Sequence, residues 1–101
     1  MISNQLATQI IQTALNLITS VIFTKDDTTT TTYTTFTKSS YDDTTNSKIV
    51  GLIEITATET ADYISYELKG SYSYIKGDCA ISVNVDDVIT IKLECFYDFT
   101  A

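Results

Sequence analysis

The stretch that decides the fold is 49-IVGLIEITATETADYISYELKGSYSYIKGDCAISVNVDDVITIKLEC-95. Apolar or small residues alternate through it at Ile49, Gly51, Ile53, Ile55 and Ala57, then at Ile64, Tyr66, Leu68, Tyr72 and Tyr74. The alternation resumes at Cys79, Ile81, Val83 and Val85, and again at Ile89, Ile91, Leu93 and Cys95. A period of two places such residues on one face of a half-buried strand. Breaks at Thr60-Ala61, Lys76-Gly77 and Asp86-Asp87 carry turn-forming residues, and a glycine at 77 would supply the positive φ of a tight hairpin. The pattern predicts three successive hairpins, an antiparallel meander over residues 49–99 with one inward face.

Parity also predicts a register for the last hairpin. With residues 86–88 as the loop, Val85 faces Ile89, Val83 faces Ile91, Ile81 faces Leu93 and Cys79 faces Cys95. The outward partners are then Ser82, Asn84, Thr90 and Lys92, the polarity expected of a half-buried pair. Directly opposed cysteines lie within bridging distance, so a Cys79–Cys95 disulfide and two reduced, buried thiols are both open. The bridged form favours an extracellular or virion setting; nothing else in the chain speaks to localisation.

Upstream, Leu6, Ala7, Ile10, Ile11, Ala14, Leu17, Ile18, Val21 and Ile22 recur at helical spacing. They predict an amphipathic helix over residues 3–24, with Ser3 or Asn4 as its N-cap. Its other face, which includes Gln5, Gln9, Gln12 and Asn16, is polar but neutral, and residues 1–24 contain no charged side chain at all. A solvated helix face ordinarily carries Glu and Lys. Neutral amides and hydroxyls can be buried with one or two hydrogen bonds each, so this face is either wet or covered by a partner.

Residues 28–37, TTTTTYTTFT, are poor helix formers because of their branched Cβ atoms. Tyr33 and Phe36 within that run favour an edge strand over a linker. The polar segment 38–48, KSSYDDTTNSK, reads as a loop. Residues 1–101 are thus expected to form one α+β domain, an N-terminal helix packed on a four- to five-stranded antiparallel meander. A length of 101 residues and a 44% hydrophobic fraction suit a single core.

Composition sets several functions aside. The net charge is −7, and the cations are scattered lysines with no arginine, so phosphate neutralisation on a nucleic acid has no basis. No run is long and apolar enough to suggest a membrane span. With no histidine and two cysteines, a metal centre is not expected. The pairs Asp26-Asp27, Asp42-Asp43 and Asp86-Asp87 match no calcium-loop spacing and read as turn residues. Glu54, Glu67 and Glu94 fall on outward parity, which leaves them hydrated and poor acid–base catalysts. No catalytic residue, cofactor site or small-molecule substrate site is expected. Tyr33, Tyr41 and Tyr63 are expected to face outward, and Tyr66, Tyr72 and Tyr74 inward.

The functional expectation is a non-enzymatic, self-assembling structural subunit, such as a virion coat, decoration, tail or surface-filament component. Its contacts would lie on the uncharged helix face (Gln5, Gln9, Gln12, Asn16) and on Thr-rich strand edges (Tyr33, Phe36), and its partners would be further copies or a larger assembly. The alternative expectation is a small acidic binding or inhibitory module acting on another protein.

Overall fold

The structure, a computed structural model, describes residues 2–98. The described residues form an α+β arrangement of one helix and seven strands in two antiparallel sheets. The helix is α1 (Asn4–Leu17), and the strands are β1 (Ser20–Lys25), β2 (Thr30–Tyr33), β3 (Thr37–Asp43), β4 (Lys48–Thr56), β5 (Ala61–Lys69), β6 (Ser73–Val83) and β7 (Val88–Phe96). One sheet has the order β2-β1-β5-β6 and the other β3-β4-β7. The chain divides into two compact units, one made of Met1–Asn16, Thr37–Glu54 and Thr90–Ala101, the other of Leu17–Phe36 and Ile55–Ile89.

In the first unit, α1 begins at Ser3, whose Oγ accepts from the Leu6 amide at 3.2 Å. That bond satisfies one of the free amides of the first turn. Ala7, Ile11 and Leu15 are buried, and Ile11 and Leu15 lie against Gly51 of β4. The expected helix-on-strand packing is therefore present, with the stripe one residue in three or four wide. Ile49, Gly51 and Ile53 are buried as their parity requires, and Val50 is buried as well. Residues 37–43, expected to lie partly in a loop, form β3 instead, paired with β4 from Thr37↔Glu54 to Asp43↔Lys48. All but its last residue are exposed, so the strand carries no apolar alternation and is held by its backbone ladder.

In the second unit, the helical periodicity read through residue 24 gives way after Leu17 to β1. Ile18-Thr19-Ser20-Val21-Ile22-Phe23 is rich in β-branched residues, and within it Val21 and Phe23 are buried alternately. Helical spacing and strand alternation coincide over so short a run, and the pairing of β1 with both β2 and β5 decides between them. The Thr-rich segment is indeed an edge strand at Thr30–Tyr33, running Val21↔Tyr33 to Thr24↔Thr30.

Of the three hairpins expected downstream, β5–β6 forms, while β4 and β5, and β6 and β7, belong to different sheets. Parity specifies which face of a strand is buried and says nothing of which strand lies beside it. The β5–β6 turn also sits elsewhere than expected. It falls between Lys69 and Ser73, where the Gly70 amide donates to the Tyr72 carbonyl at 2.9 Å. Gly77 lies inside β6 opposite Tyr66, with an ordinary negative φ. A Cβ there would sit 2.6–2.8 Å from the end of the Tyr66 ring, so this glycine marks a close cross-strand approach.

Among the described residues, three other than glycine have positive φ: Thr28 at 70°, Ser47 at 53° and Asp86 at 74°. Each lies in a turn where the second member of an Asp pair ties down backbone. Asp27 accepts from the Thr29 amide, Asp43 from the Asn46 amide, and Asp87 from the Asn84 amide. The same contacts hold Asp27 and Asp43 below the ordinary carboxylate range, chiefly through side-chain hydrogen bonds from Thr29 and Asn46. A β-branched side chain in the left-handed region at Thr28 is strained. Thr28→Gly is expected to stabilise the fold by roughly 0.5–1 kcal/mol, the relief of strain being partly offset by glycine's greater unfolded-state entropy. The check is the urea midpoint, which should rise with an unchanged denaturant slope.

Candidate functional site

The most organised side-chain cluster lies in the second unit and joins β1, β2, β5 and the segment before β5. Phe23 of β1 stacks on Tyr63 of β5 with ring centroids 4.5 Å apart, and Tyr33 of β2 meets Phe23 edge-on at 5.9 Å. All three rings are buried. The Tyr33 and Tyr63 hydroxyls are 2.8 Å apart, and the Tyr63 hydroxyl is 2.8 Å from Oε2 of Glu59. Thr31 donates to the same oxygen, and Lys25 Nζ lies 3.0 Å from Oε1.

The proton positions follow from what each atom can do. A carboxylate only accepts, so Tyr63 must donate to Glu59. Tyr33 must then donate to Tyr63, and its own oxygen is left to accept from the Thr58 amide at 3.3 Å. The result is a directed chain from a backbone amide through two phenols to a carboxylate. Hydrogen bonds from Thr31, Tyr63 and Lys25 hold Glu59 below the usual carboxylate range. Burial, together with hydrogen bonds to Tyr33 and Glu59, pushes the Tyr63 phenol up. A carboxylate so stabilised is a weak base at neutral pH, and a phenol so raised holds its proton; the cluster is built to fasten β2 and the Thr58-Glu59 segment to β1 and β5.

Tyr33 and Tyr63, expected to face outward, are therefore core residues, and Tyr33 is withdrawn from the candidate contact surface. The reason lies in β5, where Ser65 stands opposite Thr24 of β1 and Tyr63 opposite Lys25, so that Ile64 is an extra residue. This bulge reverses the alternation, leaving Tyr63 and Leu68 fully buried while Ile64 is 45% exposed. The inward set is corrected for the same reason and by the turn placement: Tyr72 and Tyr74 are exposed, packed edge-on against each other at 6.1 Å. Tyr66 is half-buried and Tyr41 exposed. The sequence held one signal for this cluster, the aromatic residues Phe23 and Tyr33 at the ends of β-branched runs, but Tyr63 follows Ala61-Asp62 and the partner Glu59 sits in a turn with no pattern to mark it.

Cys79 and Cys95 are free thiols on β6 and β7, strands of different sheets, so the opposed register expected for them is not formed. Cys79 is half-buried on β6, where desolvation and the nearby Asp78 carboxylate push its thiol up.

In the first unit, Gln5, Gln9, Gln12 and Asn16 are all exposed on α1. Leu6 and Ile10 of the same helix are 50% and 41% exposed, so the apolar stripe is wider than the part that α1 buries. Phe36, the remaining candidate contact residue, is half-buried in the second unit. On the β3-β4-β7 sheet, Lys48 pairs with Glu94 at 3.2 Å and lies 5.7 Å over the Phe96 ring. Tyr97 donates to Asp42, which pushes the phenol up to about 12.

A shallow groove of about 520 Å³ lies on the outer face of the β2-β1-β5-β6 sheet, lined by residues that include Ile22, Thr24, Ser65, Glu67, Lys76 and Asp78. Among the described residues no three His, Cys, Asp or Glu side chains are grouped to hold a metal ion, and no helix is long and apolar enough to cross a membrane. No family model matches the chain, and neither a curated protein nor a solved structure matches it.

Proposed function

We propose that this chain is a non-enzymatic structural subunit that assembles with copies of itself, a building block of the kind used in coats, tails or surface filaments. The observation that carries the reading is the outer face of α1. Leu6 and Ile10 are exposed there beside Gln5, Gln9, Gln12 and Asn16, within a segment without a single charged side chain on a chain of net charge −7. Copies of an acidic chain repel one another over most of their surface. A neutral face with apolar residues lets two copies meet without opposing like charges, and its amides can be satisfied across a contact.

Size-exclusion chromatography with light scattering tests the reading directly. The wild-type chain is expected to gain mass with concentration, and Ile10→Glu to weaken that association by roughly tenfold, the consequence of placing a charge in a desolvated contact. Because Ile10 is exposed, the melting temperature of the monomer should move little. A wild-type chain that stays monomeric up to the highest soluble concentration would rule self-assembly out.

A further inference from the structure

We propose that the free edge of β6 is a self-association surface, on which a second copy pairs antiparallel about a two-fold axis passing through Gly77. The proposal rests on the self-assembly reading and names one contact through which assembly proceeds.

β6 is the longest strand of the described residues, Ser73–Val83, and it ends its sheet with β5 as its one ladder neighbour there. Among the described residues its other side has no ladder partner, the feature through which sheets add strands. Its inward residues Ile75, Cys79 and Ile81 are half-buried rather than buried, as expected of side chains at a sheet margin that a further strand would cover.

The charges select both the occupant and the register. In an antiparallel pair centred on one residue, positions equally distant from the centre face each other. Centring on Gly77 sets Lys76 against Asp78 of the second copy, and Asp78 against its Lys76. Centring on Lys76 or on Asp78 opposes like charges, and centring on Ile75 or Cys79 pairs neither. On β5, Lys76 already stands opposite Glu67, at 3.8 Å, and Asp78 opposite Ser65. The combined sheet would therefore carry a row of Glu67, Lys76 and then Asp78 of the second copy, repeated by symmetry. Inside, Ile75 would face Cys79.

The regular part of the β5–β6 ladder fits this segment. Register shifts fall between Leu68 and Lys69 and between Tyr63 and Ser65, and Ile75–Asp78 lies between them. A lysine on an edge strand ordinarily blunts association. Here the Asp two residues on gives that lysine a counterpart under the two-fold. Similar charge spacings occur on β3 and β7, but there Asp42 already accepts from Tyr97 and Glu94 is paired with Lys48. Among the described residues Lys76, 74% exposed in its side chain, makes one ion pair, the long contact to Glu67.

Charge reversal tests the pairing by light scattering across a concentration series. Lys76→Asp and Asp78→Lys each convert two attractive pairs into two repulsive ones and should weaken association roughly tenfold. The double variant Lys76→Asp/Asp78→Lys restores opposite charges across the two-fold, reversing only the long 3.8 Å contact to Glu67, and should recover most of the wild-type mass, which also controls for any loss of folding in the singles. A second measurement reads the register. In Ile75→Cys/Cys95→Ser, a disulfide between positions 75 and 79 can form only between copies, because residues four apart on one strand are roughly 13 Å apart. Recovery in the double variant and a 75–79 linked dimer are the expected results. A wild-type chain that assembles while both single variants assemble equally well overturns the β6 pairing and leaves the helix-face reading standing. A wild-type chain that is monomeric throughout overturns both.

Discussion

Gly70→Ala is expected to destabilise the fold by about 3 kcal/mol or more, the scale of a steric conflict that neither partner can relax away from. A Cβ on residue 70 would lie 2.0 Å from the Leu17 carbonyl oxygen, far inside van der Waals contact. That oxygen belongs to backbone, and the backbone on both sides of it is tied. The Thr19 amide donates to the Lys69 carbonyl at 2.9 Å, Ser20 is registered against Lys69, and the Gly70 amide is engaged by the Tyr72 carbonyl. Relief would require parting β1 from β5 where the chain passes from α1 into the sheet. For a domain of this size the change corresponds to a fall of roughly 15 °C in melting temperature.

Gly77→Ala provides the internal comparison. Its Cβ would meet the Tyr66 hydroxyl and the ring atoms next to it at 2.6–2.8 Å, but these are the far end of a side chain that can rotate away. It should therefore cost less than Gly70→Ala, and Tyr66→Ala should remove most of that cost. Thermal unfolding followed by circular dichroism checks the ranking. A Gly70→Ala variant within about 1 kcal/mol of wild type would mean that the α1-to-β1 passage is not packed as described.

How much of this was legible beforehand depends on which interactions decide each element. The helix start at Ser3, the buried parity of Ile49, Gly51 and Ile53, and the strand character of residues 30–33 follow from local side-chain chemistry. The helix end did not, because Ile18, Val21 and Ile22 satisfy both a helical stripe and a strand, and the contest is settled by pairing with residues more than forty positions away. The polar strand β3 left no apolar trace at all. The single meander failed for a different reason. Alternation in β6 and β7 is real, but it is indifferent to the neighbour, so parity alone pairs two strands that each belong to a sheet of their own. In the candidate site, the neutral outer face of α1 could be read from residue types alone. The Tyr33–Tyr63–Glu59 chain could not, since a bulge at Ile64 reverses the parity on which any such reading depends.

That chain is the subject of the second large effect. Tyr63→Phe is expected to cost about 2 kcal/mol, the range for a buried hydrogen bond to a charged acceptor. Tyr63 is fully buried, so water cannot replace the hydroxyl. Its loss takes one donor from Glu59 and leaves the Tyr33 proton without an acceptor. Tyr33→Phe removes a donor to Tyr63 and the acceptor of the Thr58 amide, which lies closer to solvent. Because the two hydroxyls share one bond, the double variant should cost less than the sum of the singles, and an additive result would mean that the phenols act independently. Acid titration tests the carboxylate end. Glu59 is held below its ordinary value of 4.5, so its contribution is fully present above that value and is lost as pH falls through the lower, folded value. Glu59→Gln should therefore flatten the acid limb of the stability curve, without abolishing it, since Asp27 and Asp43 are shifted in the same direction by their turns. Measured by urea unfolding at a series of pH values below 5, an acid limb as steep in Glu59→Gln as in wild type would show that Glu59 is not the anchor of the chain.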